Sequence, residues 1–198
     1  MLKFIGIMVG LVMLILLSCQ VYGADREVQS LKFKDVINPL TEVEVEYLLP
    51  IDEDRQIDTI SVNILKEISQ KDRLSFYQGI TITRVWGSTF YKCKTCDNSA
   101  FGLGPDFLLR YDMFKSEKLA LSMDMNGGLI FYNQDFPAGG KLYNFMWRLG
   151  PKLSCIINDQ ARLNVGYKLM HVSNGSISGK RNPAYDAGGF SISLEWTF

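Results

Sequence analysis

The sequence predicts an all-β fold: an eight-stranded antiparallel outer-membrane β-barrel that follows a cleaved signal peptide. Three observations carry that expectation. Apolar and polar residues alternate with a period of two along most of the chain beyond the leader, and residues two apart in a strand share a face. The polar face carries charges of both signs, which can pair inside a small barrel. Short connections alternate with longer ones, the pattern of barrels with turns at one rim and loops at the other.

The leader comes first. Lys3 supplies a positive n-region, residues 4–17 form an apolar run, and Val21-Tyr22-Gly23 before Ala24 reads as a small-residue cleavage site. Leu16-Leu17-Ser18-Cys19 offers a competing lipobox. The expected organisation is a signal peptide over 1–23, a periplasmic segment over 24–41 and a transmembrane barrel domain over 42–198. A chain of 198 residues fits one such domain, and 21 basic against 21 acidic side chains give no electrostatic reason to propose nucleic acid as a partner.

The expected strands are 42–49, 57–67, 73–85, 100–113, 117–132, 142–156, 160–173 and 187–198. The first two alternate least clearly. In the fourth, Leu103, Pro105, Phe107, Leu109 and Tyr111 largely alternate with Gly102, Gly104, Asp106 and Arg110. In the fifth, Leu119, Leu121, Met123 and Met125 alternate with Ala120, Ser122, Asp124 and Asn126. In the sixth, Phe145, Trp147, Leu149, Pro151 and Leu153 alternate with Met146, Arg148, Gly150 and Lys152. The seventh runs Ala161, Leu163, Val165, Tyr167, Leu169 against Arg162, Asn164, Gly166, Lys168. The eighth sets Phe190, Ile192, Leu194, Trp196 and Phe198 against Ser191, Ser193, Glu195 and Thr197. Connections 68–72, 114–116 and 157–159 are short, 133–141 is intermediate, and 86–99 and 174–186 are long.

A soluble sandwich or lipocalin-like barrel would turn the apolar face inward; an outer-membrane barrel turns it to lipid. The second reading suits a polar face that includes Arg110, Arg148, Arg162, Asp106, Asp124, Lys152 and Lys168. It also suits strands of ten or more residues and aromatics near strand ends, at Trp86, Phe131, Tyr132, Trp147 and Trp196. The terminal Phe198 resembles the signature read by the outer-membrane insertion machinery.

Within that frame the single histidine, His171, becomes a location. His171 and Ser173 extend the apolar row at the end of the seventh strand, about 7 Å apart at roughly 3.3 Å per residue. An even strand count places this end outside, facing the outer leaflet. Extending the outward row of the eighth strand through Gly188 reaches Asp186, if no bulge intervenes. Ser173, His171 and Asp186 then form the nucleophile, base and orienter set of acyl transfer. Asn174 and backbone N–H groups of Asn174-Gly175 are oxyanion donors. Plainer readings stand beside these: a strand-end interface histidine, a tolerated serine, a loop acid, and turn chemistry at Asn182-Pro183 and Gly188-Gly189. The lumen charges read as structural ion pairs, with Lys168, Lys180 and Arg181 alternatively placed to meet lipid phosphates.

His171-x-Ser173-Asn174, then Asn182-Pro183, Asp186 and a terminal strand ending in Phe198, resembles the lipid A 3-O-deacylase family (PagL type, often labelled acyloxyacyl hydrolase). The match covers residues 160–198; upstream the likeness is architectural. It implies an eight-stranded outer-membrane barrel that removes the 3-position hydroxyacyl chain of lipid A with a Ser-His-Glu triad. His171, Ser173 and Asn174 carry over directly. Asp186 stands for a Glu and is one methylene shorter, and Ala184 stands where a Gly often follows the Asn-Pro. The implied partners are lipopolysaccharide and outer-membrane lipid. No cofactor is expected, and the oligomeric state stays open, a homodimer among the options.

Three of the four cysteines remain after cleavage. Cys93 and Cys96 read as a local loop disulfide in an oxidising compartment, and Cys155 as apolar packing. Competing functions are a non-enzymatic barrel presenting 86–99 and 174–186, a lipid A acyltransferase, and a soluble β-barrel binder.

Overall fold

A computed structural model describes residues 40–51, 53–92, 94–175 and 183–197. The expectations for the leader, Cys19, Cys93, Lys180, Arg181, Asn182 and Phe198 lie outside these residues. Eight strands run in order: β1 Thr41–Pro50, β2 Arg55–Lys71, β3 Leu74–Tyr91, β4 Lys94–Lys115, β5 Leu119–Phe136, β6 Lys141–Asn158, β7 Ala161–Ser173 and β8 Tyr185–Trp196. Each pairs antiparallel with the next, and β1 pairs with β8 to close the barrel.

The closure has a definite stagger. Followed once around from Thr41, the ladder passes Lys66, Gln78, Phe107, Gly127, Trp147, His171 and Asp186 and returns at Ile51, ten residues further along β1. Such a shear tilts strands against the axis, by about 35–45° in barrels of this kind. The register shifts in β2–β3, β4–β5 and β6–β7 at Glu67/Ser69, Asp112/Phe114 and Ile156/Asn158 all lie beside the short-turn rim. The β7–β8 ladder runs without a shift.

Strands β1 to β6 are longer than the alternation predicts, chiefly β2, β3 and β4. Residues 86–91 and 94–99, expected as a long loop, continue the two strands into a tall hairpin, paired from Trp86↔Ser99 to Tyr91↔Lys94. Above an apolar band both faces of a ladder meet water, so alternation disappears while backbone pairing persists. Likewise Gly188-Gly189 is not a turn but part of β8.

The faces are inverted relative to a soluble fold. Val45, Ile64, Ile80, Phe107, Met125, Leu149, Leu169 and Leu194, one from each strand, are exposed on the outer wall. The interior is filled. Near the loop rim Leu48, Ile57, Val85, Ile130, Phe136, Met170 and Val172 pack with Tyr132 and Tyr185, whose hydroxyls share a 2.8 Å hydrogen bond. Near the turn rim Leu65, Tyr77 and Leu108 close the other end.

Between these apolar layers lies a buried ionic network. Arg110 meets Glu42, Asp124 and Glu195 at 2.7–2.8 Å. Arg148 meets Glu46 and Asp106. Lys152 meets Glu42, Glu44 and Asp124, and Lys168 meets Glu44 and Glu46 at 2.6 and 2.9 Å. Ions removed from water need compensation from partners and hydrogen bonds, and each of these bases touches a glutamate of β1. Lys168 is therefore an interior counter-ion and does not reach a lipid phosphate on the outer wall. Cys96 is a free thiol, so the expected Cys93–Cys96 disulfide does not form. Cys155 is disulfide-bonded, not merely packed.

Candidate active site on the outer wall

The site is built where β6, β7 and β8 approach the loop rim. Odd-numbered residues of β7 face outward and even-numbered ones inward, as its alternating burial shows. His171 and Ser173 thus end the outward row that begins at Ala161. On β8 the outward set is Asp186, Phe190, Ile192, Leu194 and Trp196. Because no bulge intervenes, Asp186 sits directly opposite His171.

The side chains meet. His171 Nδ1 lies 2.7 Å from Asp186 Oδ1, with side-chain exposures of 30% and 51%. A carboxylate accepts, so it selects the tautomer with hydrogen on Nδ1. Nε2 has no hydrogen-bond partner among the described residues. Asp186 is also fixed through its backbone: its carbonyl accepts the Ile51 N–H at 3.1 Å. The acid is held between two strands, although its side chain meets solvent.

Across the other ladder His171 pairs with Trp147. The rings stack, with centroids 5.7 Å apart and planes 28° from parallel. Asp186 on one edge and Trp147 on one face leave the imidazole little freedom to rotate. Trp147 was expected only as a girdle aromatic. Its role follows from the sixth-to-seventh strand register, which loop lengths alone do not specify.

Ser173 pairs with Phe145 of β6 and is partly exposed, on the same row as His171. Asn174 follows the opposite parity: it is fully buried and engaged in a polar interaction. Gly175 has a φ of 64°, a left-handed conformation that glycine adopts without a Cβ penalty. Gly188 extends the wall between Asp186 and Phe190. A Cβ there would come within 2.9 Å of Tyr167 Oη and 3.3 Å of Leu169 Cδ2.

The arrangement therefore pairs His171 with Asp186 on an apolar wall; Ser173 shares that face two residues along but forms no hydrogen bond with His171 among the described residues. The arrangement does not bring the Asn174 side chain to that wall. An imidazole with one nitrogen held by a carboxylate and the other without a partner among the described residues is suited to taking a proton from a hydroxyl.

Comparisons with known proteins agree with this architecture. The crystal structure of the outer membrane enzyme PagL aligns with a TM-score of 0.54 at 13% identity, covering 79% of this chain and 99% of that one. Neisserial surface protein A (NspA) aligns with a TM-score of 0.50 at 13% identity, covering 81% and 96%. At this identity the likeness is one of fold. No curated protein matches the sequence. Residues 59–195 match the family described as "Lipid A 3-O-deacylase (PagL)". The chain is a closed eight-stranded β-barrel with an apolar outer wall and belongs to the lipid A 3-O-deacylase (PagL) family.

Proposed function

We propose that this chain is an esterase that hydrolyses the 3-O-linked hydroxyacyl chain of lipid A at the outer leaflet. The observation that carries this reading is the 2.7 Å His171–Asp186 contact on the outer wall, with Ser173 two residues away on the same face. In water-filled or soluble surroundings such a set would be unremarkable. On an apolar wall it lies among acyl chains, where an ester bond is the available electrophile.

Ser173 Oγ attacks the ester carbonyl while His171 Nε2 takes its proton. Asp186 steadies the imidazolium that results. The tetrahedral oxyanion is met by backbone N–H groups of the Asn174-Gly175 turn; one such donor is worth on the order of a hundredfold in rate. The intermediate collapses, His171 returns the proton to the departing sugar 3-oxygen, and the acyl group stays on Ser173. Water, deprotonated by His171, then releases the free hydroxy acid and restores Ser173.

The test is lipid A mass spectrometry from an expressing host. Wild type removes one hydroxyacyl chain per lipid A, and Ser173→Ala removes none. Unchanged lipid A with wild type, or equal deacylation by the variant, overturns the proposal. A gain of mass would identify an acyltransferase instead.

A further inference from the structure

The wall opposite the candidate site carries a second polar feature. Arg84 is exposed on the outward row of β3, which otherwise reads Ile80, Ile82 and Trp86. Its guanidinium lies 5.3 Å from the Phe101 ring centroid and 5.9 Å from that of Trp86. Cation–π contact holds the group in place without neutralising it. Asp58, which pairs opposite Trp86, forms no ion pair with it among the described residues. A cation on a lipid-facing wall without a counter-ion costs stability, less so near the interface.

Its surroundings are graded along the strands. Beside it, at nearly the same height, lies a shallow apolar groove across β4 and β5, lined by Ile82, Phe101, Leu103 and Phe131. Toward the loop rim lies a hollow of about 490 Å³ lined by Trp86, Ser88, Asp97 and Ser99. The stagger sets the height of Arg84, level with this groove and below the hollow. Gln78 of β3 and His171 of β7 share one ladder line. That line climbs ten residues in eight strands, hence five from β3 to β7. Arg84, six residues above Gln78, is therefore almost level with His171.

From the bilayer outward, this wall thus presents Ile80 and Ile82, a guanidinium beside an apolar groove and without a counter-ion among the described residues, then an aromatic and hydroxyl-lined hollow. We propose that it binds, without hydrolysing, a phosphorylated and acylated saccharide lipid of the outer leaflet. The acyl chain occupies the groove and a phosphate takes the two-pronged guanidinium. A sugar ring packs on Trp86, with its hydroxyls donating to Asp97. Three strands separate β3 from β7 in either direction, so a lipid held here cannot reach Ser173.

The test uses native mass spectrometry of the detergent-solubilised Ser173→Ala protein, which removes turnover. The probes are a bisphosphorylated acylated glucosamine disaccharide, its dephosphorylated counterpart and phosphatidylglycerol. The parent retains the phosphorylated disaccharide at this wall, and Arg84→Gln retains one equivalent fewer. That difference holds whether or not the His171 site binds lipid, so failure here is separable from failure of the hydrolase reading. Ser99→Trp, which fills the hollow, has the same effect. Equal retention by Arg84→Gln overturns the site, and unchanged retention by Ser99→Trp overturns the saccharide contact. Loss of the dephosphorylated probe alongside the phosphorylated one in Arg84→Gln overturns the phosphate assignment. Phosphatidylglycerol held as tightly as the disaccharide overturns the glycolipid as occupant.

Discussion

Asp186→Asn is the most informative single change at the candidate site. The substitution keeps size and shape and removes the charge that faces His171 Nδ1 at 2.7 Å. A hydrogen bond to a charged group contributes about 1.5–3 kcal/mol. Asp186 is half exposed, so water competes and the lower end of that range applies. At about 1.4 kcal/mol per factor of ten, turnover should fall roughly 10- to 30-fold. That is far less than the ~10⁴ lost when a buried triad acid is replaced by its amide. KM should hardly move, because Asp186 steadies the base and does not grip acyl chains. Asp186→Glu, the acid the family resemblance implies, should stay within a few-fold of wild type. The assay is initial-rate release of hydroxy acid from detergent-dispersed lipid A. Unchanged turnover in Asp186→Asn would remove Asp186 from the mechanism. A loss as complete as that of Ser173→Ala would show that water does not screen the pair as argued.

Other outcomes follow from the same coordinates. Trp147→Ala removes the ring stacked on His171; with aromatic pairs contributing about 0.5–1.5 kcal/mol, kcat should drop up to about tenfold while Trp147→Phe restores most of it. Arg148→Leu leaves Asp106 without an ion-pair partner and Glu46 with Lys168 alone inside the barrel, so urea unfolding in detergent should show a loss of about 3–5 kcal/mol, whereas exposed Leu149→Ala should show far less. Cys96, a free thiol of intermediate exposure, should react with a maleimide reagent in the folded, unreduced protein; protection that requires prior reduction would restore the local disulfide.

Much of this protein was legible in its residues because lipid imposes a simple rule. Wherever a strand crosses the apolar band, one face must be greasy and the other can hold charge, so β4 to β8 declared their parity. The rule lapses above the band. Trp86, Ser88 and Phe90 belong to a strand no less than Ile82 does, but nothing in their order distinguishes a wet hairpin from a loop. The His171–Asp186 pairing was readable for a specific reason: parity fixed both faces, and an unshifted β7–β8 register kept the two in line. Trp147 was not, since its placement depends on a cross-strand register with a shift further down at Ile156/Asn158. Asn174 shows the limit from the other side. Its identity matches a family pattern, but the strand's parity continues through it and carries its side chain inward.

The three glutamates of β1 have a consequence for how this chain reaches its final form. Arg110, Arg148, Lys152 and Lys168 come from β4, β6 and β7, yet every one of them contacts Glu42, Glu44 or Glu46. β1 is also the strand that seals the cylinder against β8. An open sheet lacking β1 would carry a surplus of positive charge along its concave side, with only Asp106, Asp124 and Glu195 to offset it. Zipping the first strand onto the last therefore neutralises the interior in the same motion that removes the sheet's two edges. A half-sealed barrel would hold these ions without their β1 partners, and the N-terminal strand supplies the counter-charge that sealing brings into place.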